Sequence, residues 1–134
     1  MSRAFVLDSY AILALLDDEE GSEQVAEVIA SEDAKIHLSI INLGEVYYMV
    51  SMRHGEKNAE TVIGKVWDTP KIKVEGVTWK RVKDAARFKS AGGLSYADCY
   101  GAALAQELEA TLLTGDPEFK RLEANGLKVL WLTQ

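Results

Sequence analysis

The stretch Ala4-Phe5-Val6-Leu7-Asp8-Ser9 decides how this chain is read. Its four apolar residues make a run suited to a short strand buried on both faces. An acid follows at once. Beyond it, residues 10–16 read as a helix ending in the acidic turn 17–20, and Ser22 reads as the cap of a helix through about Ala30. The alternation then repeats. Residues 35–38 are a second strand, 40–53 a mostly apolar helix that stops before Gly55, 58–67 another helix and 72–74 a short strand. Thr78 caps a basic helix to Phe88, Gly92-Gly93 breaks the chain, and Ser95 begins the alanine-rich helix 96–109. Residues 111–113, 117–124 and 128–132 close the pattern as strand, short helix and strand. Such alternation predicts an α/β fold: one domain over residues 1–134, with a mainly parallel central sheet of about five short strands flanked by helices. In sheets of this kind ligands bind beyond the carboxyl ends of the strands.

That rule gives a common location to four carboxylates, Asp8, Glu45, Asp98 and Asp116. Each lies in a short apolar or small-residue segment. Asp8 directly follows the first strand, where an Asp also serves as an N-cap. Asp98 lies in Ser95-Tyr96-Ala97-Asp98, the pattern of a capping box. Asp116 precedes Pro117, the arrangement of a cap with proline at the first helical position, and Gly115 before it would let backbone approach a ligand. Capping does not explain Glu45, the only charge between Lys35 and Arg53, whose helical neighbours are Ile41 and Met49. A lone carboxylate is costly to desolvate. Carboxylates gathered at one sheet edge also raise each other's pKa, and a divalent cation relieves that repulsion. All-oxygen ligation favours Mg²⁺ or Mn²⁺ over Zn²⁺.

Composition sets the remaining bounds. The chain has 134 residues, 48% hydrophobic and 27% charged, ordinary for a globular protein. A single cysteine, Cys99, cannot form an internal disulfide, no signal peptide is visible, and the apolar run 11–16 is too short to span a membrane. A cytoplasmic protein without membrane contact is the expectation. Net charge is −6, yet Lys71, Lys73, Lys80, Arg81, Lys83, Arg87 and Lys89 cluster against only Glu75 and Asp84. This is a solvated helix face or, alternatively, a stripe contacting phosphates.

The ordered set Val6-Leu7-Asp8-Ser9, Asn42-Leu43-Gly44-Glu45-Val46, Tyr96-Ala97-Asp98-Cys99 and Leu113-Thr114-Gly115-Asp116-Pro117-Glu118-Phe119 resembles the PIN domain, and within it the VapC-type toxin ribonucleases of toxin–antitoxin pairs. The resemblance spans essentially the whole chain. It implies a single PIN-like nuclease domain and a Mg²⁺- or Mn²⁺-dependent endoribonuclease. Asp8 and Asp98 would be the direct metal ligands, with Glu45 and Asp116 completing the acidic pocket. Thr114 would orient Asp116 or a metal-bound water, and Ser9 would do likewise. The resemblance further implies an RNA substrate, a homodimer and a cognate antitoxin that occludes the site. Tyr47, Tyr48, Met49 and Met52 fit either the core or a groove for an amphipathic peptide. Gly44, inside a helix, is read as a mark of close packing.

Other readings are weaker. A phosphatase with Asp8 as nucleophile would want a second Asp two residues on, where Tyr10 stands. A phospho-receiver module would want paired acids after the first strand and a lysine after the last, and residues 130–134 have none. A catalytically silent PIN fold kept for protein binding is the third. Cys99 reads as a small core residue, His37 and His54 lack metal-ligand spacing, Trp67, Trp79 and Trp131 read as core or interface, and no Walker loop or GxGxxG occurs.

Overall fold

The computed structural model describes residues 3–132, so the outermost two positions at each end of the expected 1–134 domain lie outside the described residues. Five parallel strands, β1 (Arg3–Leu7), β2 (Ala34–Ser39), β3 (Ile72–Glu75), β4 (Thr111–Thr114) and β5 (Val129–Trp131), form one sheet in the order β3-β2-β1-β4-β5. The helices are α1 (Ser9–Leu16), α2 (Ser22–Ala30), α3 (Ile40–His54), α4 (Glu56–Trp67), α5 (Trp79–Ala91), α6 (Tyr96–Glu107) and α7 (Lys120–Ala124), with a 3₁₀ turn at Pro117–Phe119. The α/β fold with five short parallel strands is as the sequence predicts.

Strand alternation divides the interior into two cores, because successive side chains leave a strand on opposite faces. Phe5, Leu7 and Leu113 pack with Ile12, Ile36, Leu38 and Val46 on the side of α1 to α4. Val6 and Leu112 pack with Tyr100, Leu104 and Phe119 on the side of α5 and α6. Both faces of β1 are therefore covered from Phe5 to Leu7, which is why its sequence after the exposed Arg3 is uninterruptedly apolar. Cys99 lies in the second core, as expected of a small buried residue.

Most element starts follow the capping signals. Ser39, Thr78 and Ser95 each accept a backbone N–H at the beginning of α3, α5 and α6. Ser22 does not cap α2. Gly21 holds the N-cap with φ +95°, because Leu132 leaves no room for a Cβ there, and Ser22 is the first helical residue. The helix expected over 117–124 is split into the 3₁₀ turn and α7.

The strand order fixes where a site belongs. From β1 the chain goes outward to β2 and β3, then returns across to β4 and β5. The carboxyl ends of β1 and β4 thus flank the point where the winding reverses, the place where such sheets open a crevice. Among the described residues no helix is long and apolar enough to cross a membrane.

Candidate metal centre

The four predicted carboxylates converge on that reversal point, together with a fifth acid. Asp8 is the first residue after β1 and caps α1, accepting the Ala11 N–H at 2.9 Å through Oδ1. It is 1% exposed. The pairing of Leu7 with Leu113 sets Thr114 next in register to Asp8. The fully buried Thr114 hydroxyl accepts the Asp116 N–H at 3.0 Å and bonds to the Asp8 carboxylate. Thr114 thus joins two acids, Asp116 through its backbone and Asp8 through its side chain.

Asp116 caps the 3₁₀ turn by accepting the Glu118 N–H at 2.9 Å. Gly115 is required for a reason other than ligand approach. A Cβ there would meet the ring of Tyr10 at 2.3 Å, so the glycine lets α1 close against this loop. Asp98 stands in the first turn of α6, its N–H held by Ser95 Oγ at 3.1 Å. It is buried, yet no hydrogen bond among the described residues ties its carboxylate back to the Ser95 amide, so the capping box is half made.

Glu45 projects from the second turn of α3 and accepts the Ser9 hydroxyl at 2.5 Å. Ser9 therefore serves Glu45, where the sequence assigned it to Asp116 or a water. Tyr48, one turn on, lies beside Glu45. Its phenol is pushed above its usual pKa, first by desolvation and then by the Glu45 charge. Tyr48 and Met52 are 53% and 82% exposed, so this part of the α3 stripe is surface, while Tyr47 packs against the first core and Met49 is half-buried. Trp67 and Trp79 are likewise exposed, while Trp131 packs against the second core. Gly44 is exposed with open space around it and marks no close contact.

Glu118 is the acid the sequence reading passed over. Asp98, Asp116 and Glu118 each offer a carboxylate oxygen within 4.8 Å of the others, a cluster that fits a metal ion. The available signal was a second acid two residues after Asp116, in the turn begun by Pro117. Asp8 is not one of that triplet. It lies deeper, coupled to it by charge: burial pushes its carboxyl up to about 7, with Asp98 and Asp116 adding to the rise and the Thr114 and Ala11 hydrogen bonds opposing it. Burial likewise pushes Asp98 up to about 6, opposed by Ser95 and reinforced by Asp116, Glu45 and Glu118. Among the described residues no lysine, arginine or histidine forms an ion pair with any of the five acids. A crowded, partly buried, all-oxygen donor set without a protein cation suits a hard divalent ion.

The cationic stretch after β3 is largely engaged elsewhere. Arg81 pairs with Glu75 and Glu107, Lys80 and Arg87 with Asp84, and Lys89 donates to the Leu94 carbonyl.

The family model for the PIN domain matches residues 5–125, and the chain belongs to that family. Its fold is shared by solved structures from VapBC and other toxin–antitoxin systems. The structure of VapBC2 from Rickettsia felis, bound to a DNA fragment from their promoter, matches with TM-score 0.72 at 18% identity over 95% of this chain and 97% of that one. VapC20 of Mycobacterium tuberculosis, a Sarcin-Ricin loop cleaving toxin, matches with TM-score 0.72 at 19% identity over 92% and 95%. VapBC-1 from nontypeable Haemophilus influenzae matches with TM-score 0.72 at 18% identity over 98% and 99%. No curated protein matches the chain by sequence. At these identities the likeness is one of fold.

Proposed function

We propose that this chain is a divalent-metal-dependent endoribonuclease and the toxin of a toxin–antitoxin pair. The observation that carries the reading is the burial of Asp8 and Asp98 at the winding reversal with no ion-pair partner among the described residues. Membership of the PIN family and the described activity of the Mycobacterium tuberculosis relative support the choice of RNA. Asp8 and Asp98 would hold Mg²⁺ or Mn²⁺, with Asp116 and Glu118 completing the donor set. When bound, such an ion polarises a phosphodiester and lowers the pKa of a water.

The chain's own groups prepare the pocket. Thr114 fixes the Asp8 carboxylate, and the Ser9 hydroxyl, donating to Glu45, holds that carboxylate at the pocket wall. The buried sheet ends beneath them exclude bulk water from one side. An antitoxin partner is supported by those structural relatives that are VapBC structures or, in one from Klebsiella pneumoniae, a toxin–antitoxin complex. The exposed Tyr48 and Met52 beside Glu45 offer an apolar strip for such a segment. A homodimer and a cytoplasmic setting belong to the same reading.

The test is cleavage of a structured RNA by the purified protein with Mg²⁺ or Mn²⁺, with excess chelator, and with Asp98→Asn. Cleavage by the native protein that chelator and the substitution both abolish supports the proposal. Cleavage that survives both defeats the mechanism, and an inert native protein points to a catalytically silent PIN fold.

A further inference from the structure

Asn42 is unlike every other polar residue near the pocket. It is 0% exposed, in the first turn of α3 and one turn before Glu45. Its Nδ2 donates to the Ala97 carbonyl at 3.0 Å, immediately before Asp98 in α6. Its Oδ1 is buried and has no hydrogen-bond partner. Turning the amide over would set Oδ1 against the Ala97 carbonyl, two acceptors face to face, so the orphan belongs to the oxygen. A buried amide oxygen left unpaired is costly, and native proteins rarely retain one without a use.

Its direction is set by Gly101. A Cβ on that residue would lie 3.3 Å from Asn42 Oδ1 and 3.9 Å from Asp8 Cβ. The orphan oxygen and the deepest acid therefore share the bare side of one glycine. One side chain thus ties the helix bearing Glu45 to the turn bearing Asp98 and sets an unpaired acceptor on the side of Gly101 that Asp8 also faces.

We propose that Asn42 is the positioning residue of the acidic pocket, its Nδ2 locking the Asp98 turn to α3 and its Oδ1 receiving an ordered water beside Asp8. Buried waters make such bonds to otherwise unsatisfied groups. The water's oxygen takes no proton in this role. It bridges, so that the carboxylates keep their spacing when a cation enters. This inference rests on the metal-site reading above and adds a residue that the sequence pattern alone leaves as an ordinary buried polar.

Two measurements test it. Mn²⁺ binding is followed by calorimetry for the native protein, Asn42→Leu and Gly101→Ala, alongside thermal melting and RNA cleavage. The leucine fills the same space without either polar atom, and the Ala97 carbonyl keeps the helical bond it makes to residue 101. The alanine leaves Asn42 in place but crowds Oδ1. Expected are folded variants whose Mn²⁺ affinity falls about 10- to 100-fold, the usual cost of losing a residue that orients ligands, with a lower kcat and an unchanged KM for RNA. Second, Mg²⁺ is titrated into the native protein while the Asn42 side-chain amide is watched by ¹H–¹⁵N NMR. A shift that saturates with Mg²⁺ is expected, and it decides the matter should the leucine variant not fold. Native-like Mn²⁺ affinity in folded variants, or an amide unmoved by Mg²⁺ that does bind, overturns the role of Asn42 and leaves the metal site standing. A native protein that takes up neither ion overturns both.

Discussion

Two groups of buried acids sit at the same carboxyl edge of the sheet and are treated in opposite ways. Glu75, at the end of β3, is buried with His37 Nδ1 at 2.7 Å, Arg81 at 3.2 Å and Lys73 at 3.9 Å. Arg81 reaches on to Glu107 at 2.9 Å and holds that carboxyl below its usual range. Asp8 and Asp98, at the end of β1 and at the start of α6, are just as buried and, among the described residues, have no ion-pair partner, the charges acting on them being those of other acids. A buried charge is tolerated when paired. The first group carries its counter-charges within the chain and is structural. The second lacks them, which is the signature of a place where a counter-charge arrives from outside.

The sharpest way to break this comparison is to remove acids from the second group. If the proposed function holds, Asp8→Asn and Asp98→Asn are expected to lower RNA cleavage by at least about a thousandfold, since each removes a proposed metal ligand. Both should fold, and Asp8→Asn should melt higher than the native protein without metal, by on the order of 5 °C. It keeps a good N-cap while removing a buried charge. Melting in chelator and RNA cleavage in Mg²⁺ check the two halves.

Removing a cation from the first group should do the reverse. Arg81→Ala removes the guanidinium shared by Glu75 and Glu107 and is expected to cost roughly 2–3 kcal/mol, somewhat below a fully buried pair because Arg81 is 22% exposed. Mn²⁺ affinity should be unchanged. Denaturant unfolding and calorimetry separate the effects.

A third expectation concerns pH. The carboxyls of Asp8 and Asp98 lie higher in the folded chain than their ordinary value of 3.8, at about 7 and about 6. The folded state therefore holds more protons than the unfolded one between about pH 4 and 7, and stability falls as pH rises through that window. Metal-free protein should melt higher at pH 5 than at pH 7.5, and saturating Mg²⁺ should flatten the difference. A melting temperature that rises from pH 5 to 7.5 in chelator would contradict the account.

The smallest effects are expected at the rim. Glu118→Gln removes an exposed member of the cluster and should weaken Mn²⁺ binding only severalfold. Neutralising Lys80 and Lys83 should leave RNA affinity and its salt slope nearly unchanged, because Lys80 is already paired with Asp84 at 2.8 Å. A salt slope reduced by about one per residue would show a phosphate-contacting stripe after all.

The sequence carried the fold well because its strands are short apolar runs and α1, α3, α5 and α6 begin at serine, threonine or aspartate caps. It also carried the convergence of Asp8, Glu45, Asp98 and Asp116, since strand ends and helix starts in a parallel sheet share one edge. What it could not carry depends on distance across the fold. Ser9 meets Glu45 from 36 residues away. Gly115 answers to Tyr10, which only the packing of α1 brings near. Glu118 looks like an ordinary exposed acid until the 3₁₀ turn carries it to Asp98. The stripe of Tyr48 and Met52 has the composition of a core and is exposed because the helix turns its other face, with Val46 and Val50, to the sheet.

The central claim is that the unpaired acids form a divalent-cation site. Electron paramagnetic resonance of free Mn²⁺, titrated against native protein and against Asp98→Asn, tests it most directly. The account predicts saturable uptake by the native chain and a loss of affinity of at least about tenfold in the variant. Equal uptake by the two, or none by the native protein, would contradict it.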